Sequence, residues 1–189
     1  MGLDQTSVVV ITGASSGIGR ALAIRFAAEK VGGIAISDIN AAGLNETAKI
    51  VSDLGADVLT SVVDVSNPEE VQRFADETLR KFGRATHLIN NAGVGLIGDF
   101  QQISVAVFES LMGINFWGTV YGVKSFLPIL QKQSKAHIVN LSSVFGFIAP
   151  PEQTAYCASK FAVRGFTEAL RHELEDSNTC VSTVHPGGI

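Results

Sequence analysis

The sequence predicts an α/β fold in which helices cover both faces of one parallel, doubly wound sheet, giving three αβα layers. Short apolar runs rich in β-formers alternate six times with longer segments of helical period. The apolar runs are continuous rather than alternating, which is typical of parallel strands buried on both faces. Because crossovers between parallel strands are right-handed, the pattern favours a Rossmann-like sheet with strand order 3-2-1-4-5-6.

The first half of the chain contains three β-α units. We expect strands at 7–12, 33–38 and 57–64, and helices at 17–30, 40–54 and 67–83. Asn40 can cap the second helix. The third helix has the clearest boundaries, since Asn67 can cap it, Pro68 suits its first position and Gly83 follows its end.

The second half continues the alternation with longer helices. We expect strands at 86–93, 136–143 and 179–186, and helices at about 104–131 and 153–176. No linker, internal repeat or low-complexity tract interrupts the pattern. The sequence therefore predicts a single domain over residues 1–189.

Composition narrows the class of protein. The chain is 46% hydrophobic and 17% charged, with a formal net charge of −4, so nucleic acid and anionic membrane are not expected partners. No apolar stretch reaches the roughly 18 residues that a spanning helix needs, and the N-terminus lacks a secretory pattern. Four histidines and two cysteines form neither a disulfide framework nor metal-ligand spacing. We expect a soluble cytoplasmic protein without a metal.

A glycine-rich turn, "TGASSGIG" at 12–19, connects the first strand to the first helix. Gly13, Gly17 and Gly19 can close the turn and bring backbone N–H groups to a pyrophosphate at the helix N-terminus. Glycine is also what any tight turn requires. The strand-turn-helix context favours dinucleotide binding, although three residues separate the first two glycines, unlike G-x-G-x-x-G.

Two acidic residues end neighbouring strands. Asp38 can accept hydrogen bonds from the ribose hydroxyls of NAD and would repel a 2′-phosphate. The alternative is that Asp38 starts a turn, but Asn40 could do so, and we favour the ribose role. Ser16 stands where a cation would help NADP, which also points to NAD. Asp64 could meet the adenine amino group, and a turn-forming role is nearly as well supported.

The segment 141–166 contains the residues for proton chemistry. Tyr156 and Lys160 are four residues apart on a predicted helix and share a face. A free phenol has a pKa of roughly 10, and a nearby ammonium stabilises the phenolate. Ser143, at the carboxyl end of the fifth strand, can orient a substrate carbonyl or alcohol. Alone, the pair would suggest a core tyrosine and a surface lysine; the glycine loop and Ser143 favour catalysis.

Taken together, these motifs identify a family. The chain resembles the short-chain dehydrogenase/reductase family in its common NAD(P)-binding form. The resemblance rests on "TGASSGIG", "DV" (64–65), "NNAG" (90–93), Asn115, "SS" (142–143), "YCASK" (156–160) and "HPGG" (185–188). These independent motifs occur in the family's order and cover nearly the whole chain.

The resemblance implies a role for each site residue. Tyr156 would be the general acid/base, Ser143 the polarising hydroxyl, Lys160 the pKa modulator and ribose ligand, and Asn115 the holder of a proton-relay water. The Ile18 backbone would meet the pyrophosphate, and Pro186 and Ile189 would border nicotinamide. The full expected cofactor site comprises Gly13, Ser15, Ser16, Gly17, Ile18, Gly19, Asp38, Asp64, Val65, Asn91, Ala92, Gly93, Tyr156, Lys160, Pro186, Gly187 and Ile189.

The implied reaction is hydride transfer between a secondary alcohol or ketone and nicotinamide, without a metal. The rival hypothesis is a dinucleotide-binding or interaction module without turnover. A sugar-nucleotide epimerase shares Tyr-x-x-x-Lys, but it normally has a G-x-x-G-x-x-G loop that residues 13–19 do not match.

The loops beside the expected pocket, 94–100 and 144–151, are almost uncharged. They favour an apolar substrate such as a lipid, steroid or aromatic alcohol; equally, they could pack against a further C-terminal portion or another subunit. His185 is a candidate for substrate contact. The resemblance implies a homodimer or homotetramer formed by the two long helices. It also implies that the family's seventh strand and substrate lid are missing, so we expect an incomplete chain.

Overall fold

The computed structural model describes residues 3–187, in which strands and helices alternate as the sequence predicts. The first half contains β1 Val8–Thr12, α1 Gly17–Ala28, β2 Gly33–Asp38, α2 Ala41–Asp53, β3 Val58–Val62 and α3 Pro68–Phe82. The second half contains β4 His87–Asn90, α4 Val105–Met112, a π-helical segment Gly113–Trp117, α5 Gly118–Leu130, β5 Ala136–Leu141, a 3-10 turn Val144–Gly146, α6 Thr154–Glu173 and β6 Thr179–Val184.

The six strands form one parallel sheet in the order β3-β2-β1-β4-β5-β6. In the centre, Val10 of β1 pairs with Ala35 of β2 on one side and with Leu88 of β4 on the other. The predicted strand order and Rossmann-like class are confirmed. This order brings the carboxyl ends of β1 and β4 together, and a crevice at that point is where doubly wound sheets bind ligands.

The core has one layer on each face of the sheet, because successive strand residues point to opposite faces. Val10 points to the face covered by α3, α5 and α6, where Phe74 and Phe126 meet edge to face with ring centroids 5.7 Å apart. Its neighbours Val9 and Ile11 pack on the opposite face under α1 and α2. The predicted three-layer architecture is confirmed.

The predicted helix caps are present. Asn40 Oδ1 accepts from the Gly43 N–H at 3.2 Å, and Asn67 Oδ1 accepts from the Glu69 N–H at 3.1 Å. Gly83 ends α3 in the left-handed region with a φ of 71°, which glycine adopts without strain. Among the described residues, no helix is both long and apolar enough to cross a membrane.

Several element boundaries differ from the prediction. The long helix expected at 104–131 is interrupted at Gly113–Trp117 by the π-helical segment, a register change that apolar periodicity does not reveal. The strand expected at 86–93 ends at Asn90, since the N–H groups of Asn91 and Ala92 both donate to Thr12 Oγ1, at 3.1 Å. The strands expected to end at 143 and 186 likewise end early, at Leu141 and Val184.

Candidate active site

A cavity of about 530 Å³ opens at the carboxyl edge of the sheet, above the ends of the central strands. It brings together most of the site residues that the sequence predicts. These are Gly13, Ser15, Ser16, Gly17, Ile18, Asp38, Asp64, Val65, Asn91, Ala92, Gly93, Ser143, Tyr156, Lys160, Pro186 and Gly187. Gly19 and Asn115 do not line the cavity. Gly19 packs against Gly13 and Asn115 bonds Val94, both of which do. Ile189 lies outside the described residues.

The glycine loop fits tightly against the loop that follows β4. Gly13 has a φ of 67°, and a Cβ there would lie 2.7 Å from the Ala92 Cα. A Cβ on Gly19 would lie 2.1 Å from the Gly13 carbonyl oxygen. Asn91 Nδ2 donates to the carbonyls of Thr12 and Gly13, both at 2.9 Å. Asn91 therefore holds the loop in shape in addition to lining the cavity.

The N-terminus of α1 can receive an anion. Ser16 precedes the helix in extended backbone, and its side chain makes no capping bond to the first-turn amides described for this helix. Those amides have no carbonyl partner within the helix, and the helix dipole favours negative charge there. Since Ser16, Gly17 and Ile18 line the cavity, the geometry fits a pyrophosphate.

Asp38 forms the turn that the sequence offered as the alternative to a ribose contact, and it also lines the cavity. Its Oδ1 accepts from the Asn40 N–H and its Oδ2 from the Ser15 N–H, each at 2.9 Å. The first bond forms the turn into α2, and the second ties the glycine loop to the end of β2. The carboxylate also lines the cavity, so it places negative charge beside the loop.

Asp64 forms a turn in the structure. Its Oδ1 accepts from the Ser66 N–H at 2.9 Å and from the Ser66 hydroxyl at 2.7 Å. The turn role that the sequence left open is therefore present. Asp64 and Val65 still line the cavity beside Asp38, so a ligand contact is compatible with this geometry.

Tyr156 and Lys160 lie one turn apart on α6, with Lys160 Nζ 5.6 Å from the centre of the Tyr156 ring. Lys160 is buried, and Nζ donates to the Leu141 carbonyl at 3.0 Å. Burial disfavours the charged amine and lowers the pKa of Lys160 from 10.5 to about 8. The side chain therefore remains mostly cationic at neutral pH.

Ser143 is buried where β5 leads into the 3-10 turn. Its Oγ accepts from the Phe145 N–H at 3.2 Å. A hydroxyl has one proton to donate, and this bond leaves that proton available to another acceptor. The Phe145 ring meets Tyr156 edge-on, with centroids 6.2 Å apart.

Asn115 is buried in the π-helical segment and links two walls of the site. Its Oδ1 accepts from the Val94 N–H at 2.8 Å, and its Nδ2 donates to the Val94 carbonyl at 2.9 Å and to Ser159 Oγ at 3.0 Å. Ser159 Oγ in turn donates to the Tyr156 carbonyl at 2.7 Å. The side chain of Asn115 thus ties the loop after β4 to α6.

Sequence reasoning missed several lining residues: Ile39, Val63, Val94, Gly95, Ile114, Leu141 and Ser142. Most of them are next to a recognised motif in the sequence, and this position could have predicted that they line the cavity. Ser142 has a further role, since its hydroxyl donates to the Lys160 carbonyl at 2.8 Å and fixes α6 to β5.

Within residues 3–187, no group of three or more His, Cys, Asp and Glu side chains has a metal-binding arrangement. His137 lies in β5, where Nε2 pairs with Ser182 Oγ at 2.8 Å. That the protein works without a metal stays a prediction.

Comparisons with known proteins agree on one family. The family model described as short chain dehydrogenase matches residues 7–189. The SadH protein of Mycobacterium tuberculosis is 46% identical over 98% of this chain, which spans 67% of its length. A short chain dehydrogenase/reductase of Burkholderia phymatum, solved in complex with NAD, superposes with a TM-score of 0.96. It is 38% identical, and the match covers 100% of this chain and 68% of that one.

A third protein is similar at lower identity. Carveol dehydrogenase of Mycobacterium avium, also solved in complex with NAD, has a TM-score of 0.93 and is 31% identical. The match covers 98% of this chain and 72% of that one. The described chain thus corresponds to roughly two thirds of the length of these proteins.

Proposed function

This chain belongs to the short-chain dehydrogenase family, and from that premise we propose that it transfers a hydride between NAD and a secondary alcohol or its ketone. The observation that carries the proposal is the shared cavity. The glycine loop and Asp38 line it together with Ser143, Tyr156 and Lys160. A nucleotide site and a proton-transfer site are therefore adjacent, as hydride transfer with proton exchange requires.

NAD fits the residues that line the cavity. The amides of Gly17 and Ile18 would hold the pyrophosphate at the start of α1, and the Asp38 carboxylate would accept from the adenosine ribose. Pro186 and Gly187 would border the nicotinamide, beside Tyr156 and Lys160. When bound, the cofactor supplies the nicotinamide carbon that accepts or donates the hydride.

The preference for NAD over NADP follows from charge. A 2′-phosphate would meet the Asp38 carboxylate, and Asp64 adds a second negative charge to this part of the cavity. Lys160 is the basic side chain of the cavity lining, and it lies on α6 beside Tyr156. Solved relatives in complex with NAD support the same preference.

Tyr156 is the proposed general acid/base. In the oxidation direction its phenolate takes the hydroxyl proton of the alcohol, and in reduction its phenol returns a proton to the ketone oxygen. The ammonium of Lys160 stabilises the phenolate that Tyr156 becomes. The carbonyl of Leu141 holds Lys160 in place at 3.0 Å, so this charge is present before a substrate binds.

Ser143 and Asn115 support this proton transfer in different ways. The available proton of Ser143 would donate to the substrate oxygen and polarise it. Asn115 would hold the relay water through its backbone, because its side chain already bonds Val94 and Ser159. Its carbonyl, which accepts from the Thr119 hydroxyl at 3.1 Å, would be the acceptor for that water.

We propose an apolar substrate. Beside the catalytic residues, Val94 is 43% exposed, Phe147 53% and Ile148 59%. The Gly98 N–H donates to the Glu152 carbonyl at 2.9 Å, so the two apolar loops that carry these residues are joined. A relative named for carveol, an alicyclic alcohol, supports this class. The second reading is that further protein covers these side chains.

A homodimer or homotetramer through the long helices is also proposed. Trp117 and Phe161 are exposed on this side of the molecule, and Trp117 stacks on Tyr121 with ring centroids 5.9 Å apart. Light scattering at several protein concentrations measures the assembly. The cytoplasmic location and the single-domain organisation expected from the sequence stay predictions.

The test of the proposal compares binding with turnover in one preparation. Titration with NADH followed by nicotinamide fluorescence measures binding. The absorbance of NADH formed from NAD measures turnover of cyclohexanol, 1-phenylethanol and a hydroxysteroid. We expect binding and turnover of at least one of these alcohols. Binding without hydride transfer from any alcohol in the panel would instead favour the dinucleotide-binding module.

A further inference from the structure

His185 faces Ser143 from the end of β6. Its Nδ1 lies 3.0 Å from the Ser143 carbonyl oxygen. A carbonyl oxygen only accepts hydrogen bonds, so Nδ1 must carry the proton and donate. Although the sequence suggested a substrate contact for His185, its neighbours Pro186 and Gly187 line the cavity and His185 does not. The imidazole therefore acts on the serine segment from outside the cavity.

The serine segment, which we define as residues 142–147, is docked along the end of β6 by backbone bonds. The Ser142 N–H donates to the Val184 carbonyl at 2.8 Å, and the Val144 N–H donates to the Pro186 carbonyl at 3.0 Å. His185 stands between these two acceptors in the sequence and adds the bond to Ser143 itself. Three consecutive residues of the segment are thus fixed by three consecutive residues of the β6 end.

The imidazole is itself held in place by an aromatic contact. Its ring centroid lies 4.1 Å from that of Phe147, the last residue of the serine segment. The guanidinium of Arg164 lies 4.3 Å from the Phe147 ring centroid and forms an ion pair with Glu168. The hydrogen bond and the tilted ring contact therefore connect His185 to both ends of the turn that Ser143 begins.

We propose that His185 is a positioning residue: by donating to the Ser143 carbonyl it fixes the direction of the Ser143 hydroxyl toward the substrate oxygen. The inference rests on the proposed dehydrogenase activity for its functional meaning. A small displacement of an aligned catalytic group is costly, so loss of this bond should lower turnover more than cofactor binding.

Two substitutions separate the two contacts of His185. His185→Asn keeps a donor near the position of Nδ1 but removes the ring, whereas His185→Phe keeps the ring and removes the donor. With 1-phenylethanol and NAD we expect His185→Phe to lower kcat about 10-fold and to change the Kd of NADH less than about two-fold. His185→Asn should recover most of kcat. Full kcat in His185→Phe, or equal loss in both variants, would overturn the proposal.

Hydrogen–deuterium exchange provides a readout that does not need activity. In His185→Phe, amides of the serine segment should exchange about 10-fold faster, while those of β1 and β2 keep their rates. In His185→Asn the segment should stay protected. If the wild-type chain turns over no alcohol, the proposed function fails, and exchange still decides whether His185 positions Ser143. Unchanged exchange in His185→Phe refutes the positioning role.

Discussion

The two ends of the cavity are built on different principles. At the nucleotide end, backbone conformation makes the site: Gly13 adopts a positive φ, Gly19 leaves no room for a Cβ beside the Gly13 carbonyl, and the first residues of α1 line the cavity. At the end proposed for proton transfer, which we call the catalytic end, side chains from separate elements make the site, including Ser143 after β5 and Lys160 on α6. The comparison teaches that a local turn can specify nucleotide binding, whereas proton transfer needs long-range assembly.

The largest expected effect is at the catalytic end. Tyr156→Phe removes the proposed acid/base and should lower kcat about 1000-fold while leaving the Kd of NADH within about two-fold. Tyr121→Phe is the matched control, since the other tyrosine of the chain stacks on Trp117 away from the cavity. Turnover assays and nicotinamide fluorescence measure both quantities. Retained activity in Tyr156→Phe would remove this residue as the acid/base.

At the nucleotide end, Gly19→Ala should be the most damaging change. The added Cβ would lie 2.1 Å from the Gly13 carbonyl oxygen and 2.6 Å from Asn91 Nδ2, so the loop must shift. With about 2 kcal/mol of strain, NAD affinity should fall about 30-fold.

Gly165→Ala on α6 is the control, because its added Cβ would have no atom within 4 Å apart from its chain neighbours and the backbone of its own helix. This helix substitution should raise the free energy of unfolding by about 0.5–1 kcal/mol and leave affinity unchanged. Equal NAD affinity in Gly19→Ala and Gly165→Ala would contradict the proposal that the backbone of the glycine loop forms the nucleotide site.

Lys160→Met tests how much the buried ammonium of Lys160 lowers the free energy of unfolding. Burial lowers the Lys160 pKa from 10.5 to about 8, so below pH 8 the folded state must keep a buried ammonium. After allowing for the lost hydrogen bond to Leu141, the free energy of unfolding of the variant should be about 2 kcal/mol higher than that of the wild type near neutral pH.

The pH dependence gives the sign of this effect. Between about pH 8 and 10.5, the wild-type folded state releases the proton before the unfolded chain does, so its stability rises relative to the variant. Urea unfolding near pH 7 and near pH 10 measures the difference in free energy of unfolding between the variant and the wild type, which should be smaller at pH 10. Lys124→Met, at an exposed position of α5, should change stability by less than about 0.5 kcal/mol. A stability difference between Lys160→Met and the wild type that does not change with pH would contradict the buried-charge explanation.

Asp38→Ala should have the smallest effect of the four, because it removes one side chain from a site built of backbone. We expect about a 10-fold loss of NAD affinity and a smaller loss, or a gain, for NADP. Asp53→Ala, an exposed carboxylate paired with Lys49 near the end of α2, should change neither. Equal losses of NAD and NADP affinity would rule out the ribose assignment.

Local patterns predicted much of the fold. The caps at Asn40 and Asn67 and the helix end at Gly83 are confirmed, because each depends on bonds within a few residues. The end of β4 was predicted three residues too late. The predicted strand continues through Asn91, Ala92 and Gly93, but the amides of Asn91 and Ala92 donate to the Thr12 hydroxyl, 79 and 80 residues away in sequence. A pattern along one segment contains no information about that partner.

The sequence by itself determined the family, the strand order and the residue types available for catalysis, because motifs and periodicity are properties of neighbouring positions. Only the tertiary structure decided how those residues act on each other. It placed the Asn115 side chain between Val94 and Ser159, directed His185 to the Ser143 carbonyl and buried Lys160 against Leu141. Hydrogen bonds and desolvation depend on distances in space, and folding sets those distances between positions far apart in the chain.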